Sequence, residues 1–217
     1  MSKKISSRHY SSQWTSDLAD RHSPNWSLGI EIIEDRFKKR FFNPIKTLIE
    51  NDTKEIRVNS GFLIMSIDCL IIETLNQFYL GLKTTTEKYY WRNNPDPNYR
   101  KNWQAFRDFF KHSHFFPDFK DNDDLTELFF KEIRCGLLHQ AESKVNSLIN
   151  IKNSKVIEPL QLGDYSQGIV INRNLFHEAL EREFDKYIAD LENPDSKNIF
   201  GDFLREKCNE KMEALCQ

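Results

Sequence analysis

The chain has 217 residues, 39% hydrophobic and 29% charged, with only 7 glycines and 7 prolines. That length suits one large domain or two small ones, and that composition excludes a disordered tract, a collagen-like chain or a solenoid. Lysine and arginine number 31 against 33 acids, a net charge of −2, so any nucleic-acid contact has to come from a local patch and not from the field of the whole molecule.

In chain order, the opening MSKKISSRHY is basic and polar with no apolar core behind it, so no secretory signal is expected. Residues 1–25 are Ser-rich and aperiodic and read as a flexible or strapping N-terminal arm. No linker, repeat or low-complexity segment divides the rest of the chain, and 26–217 are expected to form a single domain. Ile30, Ile33, Phe37 and Phe41 mark a helical stripe, restarted at Asn43-Pro44 by a cap and a first-turn proline, where the helix bends or breaks. Asp52-Thr53-Lys54-Glu55 resembles a capping box. The run from Ile56 to Leu80, with Gly81 as a left-handed stop, predicts one long central helix.

The most apolar window of that helix, Gly61 to Leu82, carries Asp68 and Glu73. A bilayer span would have to bury both, at roughly 2.5–3.5 kcal/mol for an aspartate, so the segment reads as a core helix and no membrane partner is expected. Ser66, Glu73 and Asn76 fall near one stripe, and Asp68 lies about 140° from Glu73, which assigns it a separate packing or surface role. A carboxylate among Ile, Leu and Phe needs a partner. Glu73 either faces the later motif helix and pairs with Arg134, or makes a polar contact to another helix.

Pro95 and Pro97 make 83–98 a loop, and a helix from near Tyr99 carries Trp103, Phe106, Phe109 and Phe110 and stops around Pro117. Between Lys83 and His114 there are seven Lys/Arg against three acids. Tyr89, Tyr90, Trp91 and Arg92 form a candidate substrate-binding segment, rings for unpaired bases and a cation for phosphate; the competing reading packs the rings on the body and leaves the cations solvated. His112 and His114 lack a third ligand, so no metal site is expected and no cofactor is called for.

Asp124-Leu-Thr-Glu127 offers a second capping box, opening a helix over about 124–149. It holds Arg134 and His139. An arginine gives a permanent planar cation suited to phosphate oxygens, and a histidine holds or releases a proton near neutral pH, which together equip a site to cut RNA without a metal. A five-residue step sets the two about 140° apart on an ideal helix, so either Arg134 wraps round or the helix distorts at Gly136. Glu142, one turn further on, either accepts from the imidazole and helps hold substrate or is an exposed neighbour. The bland reading of the pair is an arginine on a nearby carboxylate and a half-buried histidine. Val156 to Ile171 reads as a small β-hairpin over about 155–171, Asn172 caps a helix to about Glu192, Asn193-Pro194 breaks it, and a last helix runs from near Asn198 to Leu215. Cys69, Cys135, Cys208 and Cys216 form no C-x-x-C pair, and their spacing suits neither a disulfide framework nor a zinc site, so a reducing, cytoplasmic setting is expected.

Arg134, four residues and His139, in the wording RCGLLHQAE, match the R-x(4–6)-H signature of the HEPN superfamily, and GFLIMSIDCLIIETL at 61–75 resembles the apolar earlier helix of its small stand-alone members. The resemblance spans about 51–192. It implies an all-α, HEPN-like helical bundle with a small β-hairpin insertion, and a homodimer in which two copies of the motif share one cleft. It further implies a metal-independent endoribonuclease of defence or growth arrest in a bacterium, with an antitoxin or nucleotidyltransferase as a possible partner besides RNA. In such a site Arg134 and His139 are catalytic with Glu73 beside them, the ribose 2′-OH attacks its own phosphate, and the products end in a 2′,3′-cyclic phosphate. Many members carry Asn, Asp or His directly after the arginine, where this chain has Cys135, a poor hydrogen-bond donor. That departure and the near-neutral charge favour the alternative, a non-catalytic RNA-binding or protein-interaction module on the HEPN scaffold. A third possibility is a toxin silenced by nucleotidyl transfer onto a tyrosine.

Overall fold

The computed structural model describes residues 2–51, 53–84, 101–140, 142, 146–161 and 164–217, with the backbone alone at 58, 101, 102, 139 and 140. The described chain is mostly helical with a small three-stranded mixed sheet. Helices α1 (Trp26–Phe37), α2 (Asn43–Glu50), α3 (Lys54–Asn59) and α4 (Gly61–Leu80) come first, followed by α5 (Lys101–His112), α6 (Asp123–Phe129) and α7 (Cys135–Gln140). Strands β1 (Ser147–Asn150), β2 (Ile157–Pro159) and β3 (Ile169–Asn172) precede α8 (Arg173–Glu192) and α9 (Leu204–Cys216).

Contacts group the chain into two compact units, one of Met1–Pro44, Thr74–Lys101 and Phe184–Gln217, the other of Ile45–Glu73 and Asn102–Glu183. The sequence holds no linker to mark this division because α4 and α8 each run uninterrupted from one unit into the other.

In the first unit Phe37 of α1 stacks on Phe184 at 4.8 Å between ring centroids and meets Phe78 edge-on at 5.3 Å. Residues of the N-terminal arm are strapped onto this core: Ile5 and Leu18 are buried, and the Trp14 Nε1–H donates to Asn209 Oδ1 at 2.8 Å. The break expected at Asn43-Pro44 takes the form of a widened π turn at Lys38–Phe42, closed by the Asn43 N–H donating to the Lys38 carbonyl. Proline lacks the N–H an α-helix would use and its ring crowds the carbonyl four residues back, so the extra residue relieves that clash while the chain stays helical. The last helix starts at Leu204, later than expected from Asn198. The Asn198 side chain instead organises a turn, accepting from the N–H of Phe200 and Asp202 and donating to the Tyr79 carbonyl at 2.8 Å.

In the second unit the long helix expected from Ile56 is divided at Ser60, whose hydroxyl donates back to the Ile56 carbonyl at 2.6 Å, a bond that bends helices. Thr53 caps α3 by accepting from the Ile56 N–H. By length and composition α4 would suffice to cross a membrane; 61% of its most apolar window is buried within the protein. A phenylalanine cluster joins α5, α6 and α8, with Phe110 stacked on Phe119 at 4.0 Å and Phe129 stacked on Phe176 at 5.3 Å.

Two expectations about the motif region are corrected. Asn122, not Asp124, caps α6, its Oδ1 accepting from the Leu125 N–H at 3.0 Å. The helix does not reach 149: α7 ends at Gln140, and Ser147–Asn150 is β1, paired in parallel with β3. The expected hairpin is present as the antiparallel pair β2–β3 of a mostly helical fold, and β1 extends it to a mixed three-stranded sheet of order β1-β3-β2. The continuous apolar run Ile169–Ile171 is buried throughout, as a central strand requires, and Pro159 is tolerated on an edge strand that needs no second partner. Asn172 caps α8, its Oδ1 accepting from the N–H of Asn174 and Leu175.

Candidate functional site

Arg134 closes a second π turn, Phe130–Arg134, in which the Cys135 N–H donates to the Phe130 carbonyl. The helix distortion considered at Gly136 thus lies just before the arginine; Gly136 itself sits inside α7. Single π turns inside α-helices concentrate at functional positions because one extra residue re-aims the side chains beyond it. Here the turn presents Arg134 to α4. The Arg134 Nε–H donates to Glu73 Oε1 at 2.8 Å, and both side chains are largely buried, with 11% and 19% of their surface exposed. The guanidinium carbon also lies 5.3 Å from the ring centroid of Phe130, a cation–π contact. Its terminal amino groups make no hydrogen bond among the described residues. The cation is therefore oriented along its Nε edge, and a guanidinium held so can meet a second, two-pronged partner only through its terminal amino groups.

Of the two partners the sequence offered Glu73, the fold places Arg134 against it. His139 falls in α7 and its side chain lies outside the described residues, as do Tyr89, Tyr90, Trp91 and Arg92 entirely. Glu142 is exposed in a bend beyond the end of α7, so the helical spacing that tied it to His139 does not hold. Cys135 is half-buried and its neighbour across the site, Cys69, is fully buried. Burial first, then the carboxylates of Asp68 and Glu73, push the Cys69 thiol well above its usual range, with Arg134 opposing, so this sulfur is held protonated and inert.

One pairing was not foreseen. Asp68 is fully buried, and its Oδ1 is hydrogen-bonded to His177 Nδ1 at 2.7 Å. Burial pushes the Asp68 carboxyl up, only partly offset by His177, and its Oδ2 has no hydrogen-bond partner among the described residues. The carboxylate in an apolar helix was the available signal; its partner stands 109 positions later, beyond any local pattern. The pair ties α4 to α8 five residues, about 1.4 turns, before Glu73 and so restrains the rotation of α4 that aims Glu73 at Arg134.

From Glu73 back toward the start of α4, the solvent side of the helix carries Leu70 and Leu63, 46% and 51% exposed, one on top of the other two turns apart. Leu138, beside His139 in α7, is 50% exposed. Among the described residues no three His, Cys, Asp or Glu side chains gather as a metal site would need. Comparison of the chain with protein-family models, with curated proteins and with solved structures gave no match in any of the three.

Proposed function

We propose that this protein is a metal-independent endoribonuclease of HEPN type, acting as a homodimer whose composite site uses Arg134 and His139 from each copy. His139 takes the proton of the ribose 2′-OH or gives one to the departing 5′ oxygen, and Arg134 neutralises the charge that gathers on the phosphorus-bound oxygens. No metal is required by this route, because the substrate supplies its own nucleophile. Glu73 is a positioning residue: it holds Arg134 by Nε and leaves the paired amino groups to the phosphate.

The observation that carries this reading is the preorganised guanidinium, clamped by Glu73 and Phe130, with no hydrogen bond on its outer edge among the described residues. The exposed leucine stripe that ends at Glu73 supports a second copy docking there, which would bring two arginines together. The runner-up is a non-catalytic RNA-binding module, favoured by Cys135 standing half-buried where the resemblance leads one to expect a stronger hydrogen-bond donor.

The test is cleavage of single-stranded RNA by purified protein in EDTA. Wild type is expected to leave 2′,3′-cyclic phosphate ends; Arg134→Ala and His139→Ala should each lose about 100-fold or more in rate, and Glu73→Gln about 10-fold with RNA affinity kept. Equal residual cleavage in all variants overturns the enzyme reading. RNA binding lost in Arg134→Ala, with no cleavage by any form, selects the module.

A further inference from the structure

A hollow of about 500 Å³, within the range of small-ligand sites, lies in the second unit between one face of α8, the turn at 114–118 and the segment 154–156 that leads into β2. From α8 come Leu175, Glu178, Ala179 and Arg182, which at i, i+3, i+4 and i+7 share one side of the helix. Ala179 has only a methyl to fill the space between its longer neighbours. The described wall carries two cations, Lys155 and Arg182, and two acids, Asp118 and Glu178. His114 and Ser154 are its other polar groups, and Phe115, Pro117 and Val156 join Leu175 and Ala179 as its apolar part.

This wall is built before any ligand arrives. The Glu183 side chain, 1% exposed, accepts from the N–H groups of His114 and Phe115 at one carboxylate oxygen and so pins the turn to α8. Phe115 in turn carries Arg182, whose guanidinium carbon lies 4.1 Å from the ring centroid. Glu178 and Arg182 stand four residues apart in the order that favours an ion pair on a helix, with about 5–6 Å between their Cβ atoms. No ion pair joins them, and neither side chain has a hydrogen bond among the described residues. Arg182 is laid on Phe115 instead, so an acid and a cation stay apart, side by side on the wall of the hollow.

A ligand of one sign gains from one pair of charges and loses to the other, because two cations and two acids face the same space. A ligand carrying both signs is attracted at each end. With the acid and the cation one helical turn apart, the match is to an ammonium and a carboxylate borne on one carbon: the guanidinium takes the carboxylate in a two-pronged contact, and Glu178 takes the ammonium. We infer that this hollow is a binding site for a free α-amino acid with an apolar side chain, its charged end held by Glu178 and Arg182 and its side chain laid against Val156 and Leu175. Neither Arg134 nor Glu73 lines it, and the inference stands independently of the ribonuclease reading.

Isothermal titration calorimetry with L-phenylalanine, phenethylamine, 3-phenylpropionate and glycine tests it on the wild-type protein. L-Phenylalanine is expected to bind. The amine without the carboxylate, the acid without the ammonium, and glycine without the side chain should each bind at least tenfold more weakly. Glu178 and Arg182 are exposed, so Glu178→Gln and Arg182→Gln should fold, as thermal melts check, and each should lose at least tenfold in affinity for L-phenylalanine. Glu127→Gln/Lys131→Gln removes an acid and a cation at exposed positions, also four residues apart, outside the hollow and should match wild type. The site is overturned by any of four results: no heat with L-phenylalanine at millimolar concentration, an analogue binding as tightly as L-phenylalanine, unchanged affinity in Glu178→Gln or Arg182→Gln, or the same loss in the Glu127/Lys131 variant.

Discussion

Asp35 is buried, which alone would raise its pKa, yet hydrogen bonds from the hydroxyls of Ser7 and Ser6 and the N–H groups of Arg8 and Ser7 hold it well below the usual carboxylate range. Arg8 adds a 3.2 Å contact from Nε, though that side chain is 65% exposed and counts for less. A carboxylate with a depressed folded pKa contributes stability that is whole above the unfolded value near 3.9 and fades as pH falls toward the folded one. Thermal melting across pH is therefore expected to show wild type losing stability from about pH 4 downward. Asp35→Asn should be less stable at pH 7 and flatter over that acid window; parallel curves would count against the assignment. The arm residues that were ambiguous in the sequence thus bind α1 chiefly at Asp35, with Glu31 accepting from Arg8 and Arg36 donating to the Ile5 carbonyl besides. At the candidate site the argument is geometric: a guanidinium clamped by Glu73 at one nitrogen is oriented before any phosphate arrives, which saves the ordering that a free arginine would need.

At the scale of elements, the sheet depends on one glycine. Gly168 has φ +117°, and a Cβ there would stand 2.3 Å from the Asn146 carbonyl oxygen, a backbone atom that also accepts from the Ile169 N–H. Neither partner is a flexible side chain, so Gly168→Ala has to push β1 and β3 apart. Its cost is expected to exceed about 2 kcal/mol in urea unfolding, since backbone strain of 1–3 kcal/mol adds to the lost pairing. A change under about 0.5 kcal/mol, the level of an ordinary surface substitution, would contradict the register. The two π turns are the other element-scale device. The first keeps a helix running past Pro44, and the second decides where Arg134 points, which helical-wheel arithmetic from an ideal 3.6-residue repeat misplaces.

At the scale of the whole molecule the proposed site needs a second copy. Leu63 and Leu70 lie on one face of α4 ending at Glu73, and exposed leucines so aligned favour burial on association. Sedimentation at micromolar concentration is expected to give a dimer for wild type and a monomer for Leu70→Glu, because a buried unpaired carboxylate in each half opposes docking. A monomeric wild type, or a variant that dimerises as well as wild type, would remove the composite site while leaving the Arg134–Glu73 geometry in place.

The amino-acid sequence by itself settled what short windows carry. The cap at Asn172 and the stop at Gly81, which has φ +67°, follow from a side-chain oxygen and a missing Cβ acting on neighbouring amides, whereas the cap read at Asp52 falls one residue later, on Thr53. Helical periodicity marked most of the helices for the same reason. The tertiary structure alone decided the rest. Ser147–Asn150 became a strand because Ile169–Asn172 offered it a partner, Asp68 found His177 across 109 positions, and Glu73 met Arg134 across 61. Those choices are made by contacts between distant segments, where burial and hydrogen bonding outweigh local propensity, and no reading confined to neighbouring residues contains them.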